Sequence, residues 1–297
     1  MSLILYNIRI LIHSLILFHL PYILQRFGNV RELNLDDCQY LTRIHDVSNL
    51  PNLEIFSFKS CKNLIEIHES VGFLNKLQIL NASSCSKLRS FPAMKSASLR
   101  ILELAYCRSL KTFPEILGEM KNITSISLMK TSIEKLPVSF QNLMGLQNFF
   151  IEGNVLQRLP ISIFRMPNLS KITFYRCIFP KLDDKWSSMV STSPTDIQLV
   201  KCNLSDEILP IVVMWSANVE LLNLSENNFT ILPECIKHCH FLWSLRLDDC
   251  KCLREIRGIP PNLKHLSAIR CKSLTSSSKN MLLNQVLFCL LFSLYLT

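Results

Sequence analysis

Apolar residues along this chain keep a register that one small or polar marker residue defines. With Cys38 as the first marker, the equivalent positions are Cys61, Cys85, Cys107, Thr131, Asn154, Cys177, Cys202, Asn227, Cys250 and Cys271, at steps of 21 to 25 residues. Three, five and eight residues before each marker stands an apolar side chain, from Leu35, Leu33 and Val30 to Ala268, Leu266 and Leu263; Pro194 is the one clear exception. The L-x-L heart of the pattern has period two, which predicts a short strand with its leucines inward and its x residues outward. No single strand of this kind buries its own leucines, so eleven of them predict a parallel sheet built by stacking.

Each repeat carries a second apolar set, as in "LKTFPEILGEMKN" (residues 110–122), "IEKLPVSFQNLMG" (133–145) and "LQRLPISIFRMPN" (156–168). The Leu-Pro or Phe-Pro step breaks regular structure, and the residues beyond the proline suffice for only a helical turn or two. The whole reads L-x-x-L-x-L-x-x-C/N, the leucine-rich-repeat pattern. The expected fold is therefore an α/β right-handed solenoid with a parallel β-sheet on its concave face and loops and short helices on its convex face. The marker lies where the chain leaves the strand. Asn there bonds to backbone groups of neighbouring coils, and Cys is a small, weaker substitute. Eight of the twelve cysteines occupy this position and are expected to be buried and inert, without disulfides between coils.

Residues 30–274 hold the repeats. The apolar segment 1–29 reads as a degenerate earlier repeat, because "LPYILQRFGNV" (20–30) matches "FPEILGEMKNI" (113–123) and the register places Ile10 and Ile12 on a strand; a signal or anchor segment and a truncation artefact are the alternatives. The tail 275–297 reads as a cap over the last coil or as an artefact, since its apolar core of eleven residues is too short to span a bilayer. Residues 178–194 keep the repeat length without its pattern and predict a looser loop or hinge.

Composition excludes several kinds of chemistry. None of the six glycines falls in a GxxxxGK or GxGxxG setting, so no phosphate cradle and no nucleotide cofactor is expected. "CIKHCH" (235–240) has no second ligand pair at zinc spacing, so no metal is expected, and a back-side turn with a buried cysteine is the preferred reading. The seven histidines share no face, which leaves no catalytic set and no enzyme. Six N-x-S/T sequons invite an extracellular reading, but Asn81 and Asn223 lie between strand leucines, and chance sequons are expected in so Asn- and Ser-rich a chain. The net charge of +9 suggests an acidic partner or nucleic acid. Outward strand positions, however, hold ten cations and eleven carboxylates, so the excess sits on the back, edges and ends. A basic concave stripe for phosphates is absent, and neither nucleic acid nor a membrane is expected as a partner. What the sheet offers is a set of outward aromatics with charges beside them: Tyr106, Phe150, Tyr175 with Arg176, and Trp243 with Arg246, Asp248 and Asp249. Large aromatics anchor protein interfaces, so these eight residues form the candidate partner-binding site.

The repeats "KNLIEIHESVGFLNKLQIL", "RSLKTFPEILGEMKNITSISL" and "TSIEKLPVSFQNLMGL", with "LDDC" and the C-x-x-L-x-x-x-P cadence, resemble the leucine-rich-repeat region of plant TIR-NBS-LRR disease-resistance proteins across about residues 20–275. The resemblance implies a cytoplasmic immune-receptor module that senses a pathogen effector or a modified host protein. It also implies autoinhibitory contacts with a nucleotide-binding domain in a longer chain. No P-loop or signalling domain is present here, so nucleotide binding and signalling do not carry over. A secreted or membrane-anchored receptor ectodomain is the alternative, and a ubiquitin-ligase substrate-binding subunit is a third. The missing L-x-G-x-I-P repeat ending favours the cytosol.

Overall fold

The computed structural model describes residues 7–9, 28–153, 163, 166–177, 194–215 and 218–281. They belong to two units, Met1–Asn168 and Leu169–Thr297. In the first, strands Asn7–Arg9, Glu32–Asn34, Ile55–Ser57, Ile79–Asn81, Ile101–Glu103, Ser125–Met129 and Asn148–Glu152 pair side by side, all parallel. The second repeats the arrangement with Lys171–Tyr175, Asp196–Val200, Leu221–Asn223, Ser244–Arg246 and His265–Ser267.

Pairing one strand per repeat turns the sequence register into columns. Leu33 lies opposite Phe56, Phe56 opposite Leu80, Leu80 opposite Leu102, with Ile126 and Phe149 next in line, and all six are sealed from solvent. In the second unit the same column runs Ile172, Ile197, Leu222, Leu245 and Leu266. A second buried column stands two residues on, through Leu35, Phe58, Ala82, Leu104, Leu128 and Ile151, then Phe174, Leu199, Leu224, Leu247 and Ala268. Each large side chain so buried contributes about 1.5–3 kcal/mol. Even Pro194, the exception to the apolar rule, is buried at its leucine position. The strand Asn7–Arg9 sets Ile8 opposite Leu33 in backbone register, two residues ahead of the expected Ile10. Ile10 and Ile12 lie outside the described residues, as do Asn154 and residues 10–27, 178–193 and 282–297.

Seven of the markers tie their coil to the one before it. The Sγ atoms of Cys61, Cys85, Cys107, Cys202, Cys250 and Cys271 donate to the carbonyls of Leu35, Phe58, Ala82, Phe174, Leu224 and Leu247, at 3.0–3.3 Å. Every acceptor is the second-column residue of the preceding coil. Asn227 does the same with its amide, Nδ2 donating to Leu199 O at 2.7 Å, and adds a reverse link: its Oδ1 accepts from the Cys202 and Leu204 N–H groups at 2.9 and 3.1 Å. Thr131, with a shorter reach, donates instead to Leu128 of its own coil. All the cysteines among the described residues are free thiols.

The residue before each marker turns the chain with positive φ: Asp37, Ser60, Ser84, Tyr106, Lys130, Arg176, Lys201, Glu226, Asp249 and Arg270 lie between 55° and 65°. Left-handed backbone costs an L-residue roughly 1–2 kcal/mol, so the coil geometry imposes it against local preference. It also lets that residue's N–H reach the next coil, as Asp37 N does to Lys59 O and Asp249 N to Ile269 O. At Gly145 coils come so close that an added Cβ would lie 2.0 Å from the Lys121 carbonyl oxygen, which excludes any other residue.

The back of each coil is short and irregular, as expected. Among the described residues it holds the 3-10 turns Glu69–Phe73, Val138–Asn142 and Glu234–His238 and the α-helix Leu209–Trp215, which buries Leu209, Val212 and Val213. The marker ladder gives a direct test of coil-to-coil bonding. Asn227→Ala takes the acceptor from the buried Cys202 and Leu204 N–H groups and the amide donor from the Leu199 carbonyl, and should lower stability in urea unfolding by about 2–4 kcal/mol, whereas Cys61→Ala loses one weak thiol bond and a small volume, about 1–2 kcal/mol. Equal losses would show that the amide only fills space.

Candidate functional site

The outward face of the sheet carries most of the candidate residues, and they differ in how free they are. In the first unit Tyr106 sits at a left-handed turn position, 39% exposed, with Lys130 Nζ 5.0 Å from its ring centroid. Phe150 is half-buried and registers with Ser127, which registers in turn with Glu103, a carboxyl whose pKa burial raises. In the second unit Arg176 lies 5.1 Å from the Tyr175 ring, and Trp243 meets His265 edge-on at 5.5 Å. Phe150 belongs to the first unit and Tyr175 to the second, so the two aromatic groups are separate candidates.

Asp248 and Asp249 have structural roles that explain why "LxLDDC" occurs twice. Asp248 Oδ1 accepts from the Ser267 hydroxyl and, at 2.9 Å, from Ile269 N–H on the next coil. Asp36 Oδ1 accepts from the Ser57 hydroxyl and, at 2.7 Å, from Lys59 N–H in the same way. The first aspartate of the motif is a staple to the following coil, and the serine it needs stands at the matching strand position each time. The second takes the left-handed turn. Asp249 is further held by Arg270, whose hydrogen bonds keep its carboxyl below the usual range. Arg246 approaches Asp248 at 3.4 Å and is itself exposed.

One row was missed by counting aromatics. Ile55, Ile79 and Ile101 occupy successive outward positions of three paired strands, each half-buried. Beside them run Arg31 and Glu54, paired at 3.1 Å, and Gln78. β-Branched side chains at x positions were the available signal, since these positions need no apolar residue to complete the core. Aliphatic centre and polar margin together have the composition of a protein contact surface.

Other candidate chemistry resolves into structure. Cys239 is buried below the Glu234–His238 turn, and the Cys235 and Cys239 thiols face the Pro210 and Val213 carbonyls at 3.9 and 3.8 Å. The sequon asparagines are all engaged. Nδ2 of Asn122, Asn168 and Asn228 donates to Ala97 O, Met144 O and Asn203 Oδ1, while Asn81 and Asn223 accept from Ser83 and Ser225 two residues on. A pocket of about 410 Å³ in the first unit brings together Asp46, His68 and Ser70. Ser70 Oγ and Asp46 Oδ1 both approach the same imidazole nitrogen, Nδ1, at 2.9 and 3.8 Å, so no serine–histidine–aspartate relay forms. Bonds from Ser48, backbone first, hold the Asp46 carboxyl low.

Comparison with known proteins places this geometry. A family model of the leucine-rich repeats of RPS4B-like disease resistance proteins matches residues 95–281. TMV resistance protein N of Nicotiana glutinosa is 27% identical over 300 residues, an alignment that takes in 84% of this chain and 25% of that protein. The chain thus spans about a quarter of that relative. Among solved structures, the leucine-rich-repeat domain of the type III effector XopL superposes with a TM-score of 0.56 at 22% identity, over 82% of this chain and 80% of that one. The functional domain of InlJ from Listeria monocytogenes, described as including a cysteine ladder, superposes at 0.53 with 13% identity, over 83% and 55%. Both share the fold.

Burial pushes the thiols of Cys61, Cys107 and Cys250 up to about 12 and that of Cys271 up to about 11, from 9.0. The folded chain thus keeps protons that the unfolded chain releases above about pH 9. Stability from these groups is complete below that pH and is lost as pH climbs towards 11–12. In urea unfolding between pH 8 and 10.5, a Cys61→Ala, Cys107→Ala variant should therefore lose less stability than the parent. Equal losses would mean that other groups govern alkaline unfolding.

Proposed function

Because the chain belongs to the RPS4B-like leucine-rich-repeat family of disease resistance proteins, we propose that it is the protein-recognition region of a plant immune receptor. Its ligand, on this reading, is a pathogen effector or a host protein altered by one, and the outward sheet face receives it in the cytoplasm. The observation that carries the reading is the outward face itself. It presents the Ile55, Ile79 and Ile101 row and the Tyr106, Phe150, Tyr175 and Trp243 aromatics, none of which the columns need, between charges already paired along the coils. Interfaces of this composition take their affinity from a few aromatic or aliphatic anchors and their selectivity from the polar margin. Arg176, Arg246, Asp248 and Asp249 supply that margin in the second unit, the aspartates holding the turns that present it.

In a chain of the relatives' length, the same repeats also have a nucleotide-binding domain to contact, and restraint of that domain is the second half of the proposal. Among the described residues no helix is long and apolar enough to cross a membrane. Partner capture from challenged plant tissue tests the recognition surface. A Phe150→Ala, Tyr175→Ala, Trp243→Ala variant, and separately Ile79→Glu, should each lose at least one partner retained by the parent chain while keeping its circular dichroism. Identical partner sets for all three proteins would rule out the sheet face as the recognition surface.

A further inference from the structure

About half of the charge excess that the sheet does not carry lies on one flank of the first unit. Between the marker and the fifth residue after it, the coils that begin at Cys38, Cys61, Cys85, Cys107 and Thr131 hold seven cations and two carboxylates. Backbone bonds align these stretches in register: Ile65 N–H donates to Thr42 O, Arg89 N–H to Ile65 O and Glu134 N–H to Lys111 O, at 2.8–3.2 Å. Arg43 is neutralised by Glu66 at 2.8 Å. Lys62, Lys87, Arg89, Arg108, Lys111 and Lys135 are all exposed, and among the described residues none has a carboxylate within ion-pair distance. The four described coils of the second unit, from Cys202, Asn227, Cys250 and Cys271, hold three cations and three carboxylates over the same stretch. The excess is therefore a property of this flank and not of the repeat.

Apolar groups stand among the cations. Tyr40 is 64% exposed and Ile65 38%, both in the same five-residue stretch of their coils. Coils stacked about 4.8 Å apart set the Cys61 to Thr131 stretches within about 14 Å, the length of four or five residues of extended polypeptide. One turn of a nucleic-acid duplex is about 34 Å long, and duplex binders neutralise phosphates along a longer track. We propose that this flank is a second interaction surface, distinct from the sheet face, that binds a short acidic polypeptide segment: a run of Asp and Glu laid across the coils against the six unpaired cations, with an apolar neighbour on Tyr40 or Ile65. The attraction is between exposed charges, so it weakens as salt shortens the screening length to about 8 Å at physiological ionic strength.

The test uses the full chain and a fluorescein-labelled ten-residue peptide with five consecutive acidic residues, its binding read by anisotropy at low and high salt. Lys87→Glu, Arg89→Glu, Arg108→Glu should weaken binding at least tenfold, and the charge-matched Lys251→Glu, Arg254→Glu, Lys272→Glu of the second unit less than twofold. The milder Lys87→Gln, Arg89→Gln, Arg108→Gln serves if the reversal disturbs folding, with the same direction expected. The proposal is overturned if the peptide does not bind, if both flanks respond equally, or if a ten-nucleotide single strand or phosphatidylserine vesicles bind as tightly as the peptide.

Discussion

A buried side chain that bonds to the backbone of the preceding coil is the interaction on which the rest depends. Apolar columns alone bring strands together without fixing where each coil ends, and a buried carbonyl left without a donor costs about 1–3 kcal/mol. Cys61, Cys85 and Cys107 in the first unit, and Cys202, Asn227, Cys250 and Cys271 in the second, each satisfy the second-column carbonyl of the coil before. A thiol makes this bond weakly but fits a small dry space, and Asn adds two further links. That is why a polar residue recurs at steps of 21 to 25 where a hydrophobic core would otherwise exclude it.

That constraint generates the other regularities. A chain that must leave the strand just ahead of a buried marker has one backbone solution, a left-handed residue, and it is imposed on Ser, Tyr, Lys, Arg and Glu alike. The exit also exposes the position two before the marker to the next coil, where Asp36 and Asp248 find the same hydroxyl and N–H. The "LDDC" stretch therefore encodes a staple, a turn and a tie in three consecutive residues.

What could be read from the sequence was what period two and fixed offsets reveal: the columns, the burial of the marker cysteines and the short irregular backs. The left-handed position was invisible because glycine, its usual sign, stands there only at Gly153. The first strand lies two residues ahead of where the register points, because the apolar run continues on both sides of Arg9 and leaves the register ambiguous. Among the candidate site residues, Tyr106, Phe150, Tyr175 and Trp243 do face outward or flank a strand, but Asp248 and Asp249 are engaged with the next coil, a pairing that no single repeat displays. The isoleucine row was missed because an apolar x position looks like noise until three paired strands show it as a line. The outward strand positions balance ten cations against eleven carboxylates, whereas the flank of the first unit holds seven cations against two.

Native-state hydrogen exchange tests the central claim most directly. The amides of Leu35, Phe58, Ala82 and Leu104, which donate to the following coil, and those of Cys202 and Leu204, which donate to Asn227, should exchange only through opening of whole coils and rank among the slowest in their units. Rapid exchange at these positions, with protection confined to the helix Leu209–Trp215, would contradict an architecture held by coil-to-coil bonds.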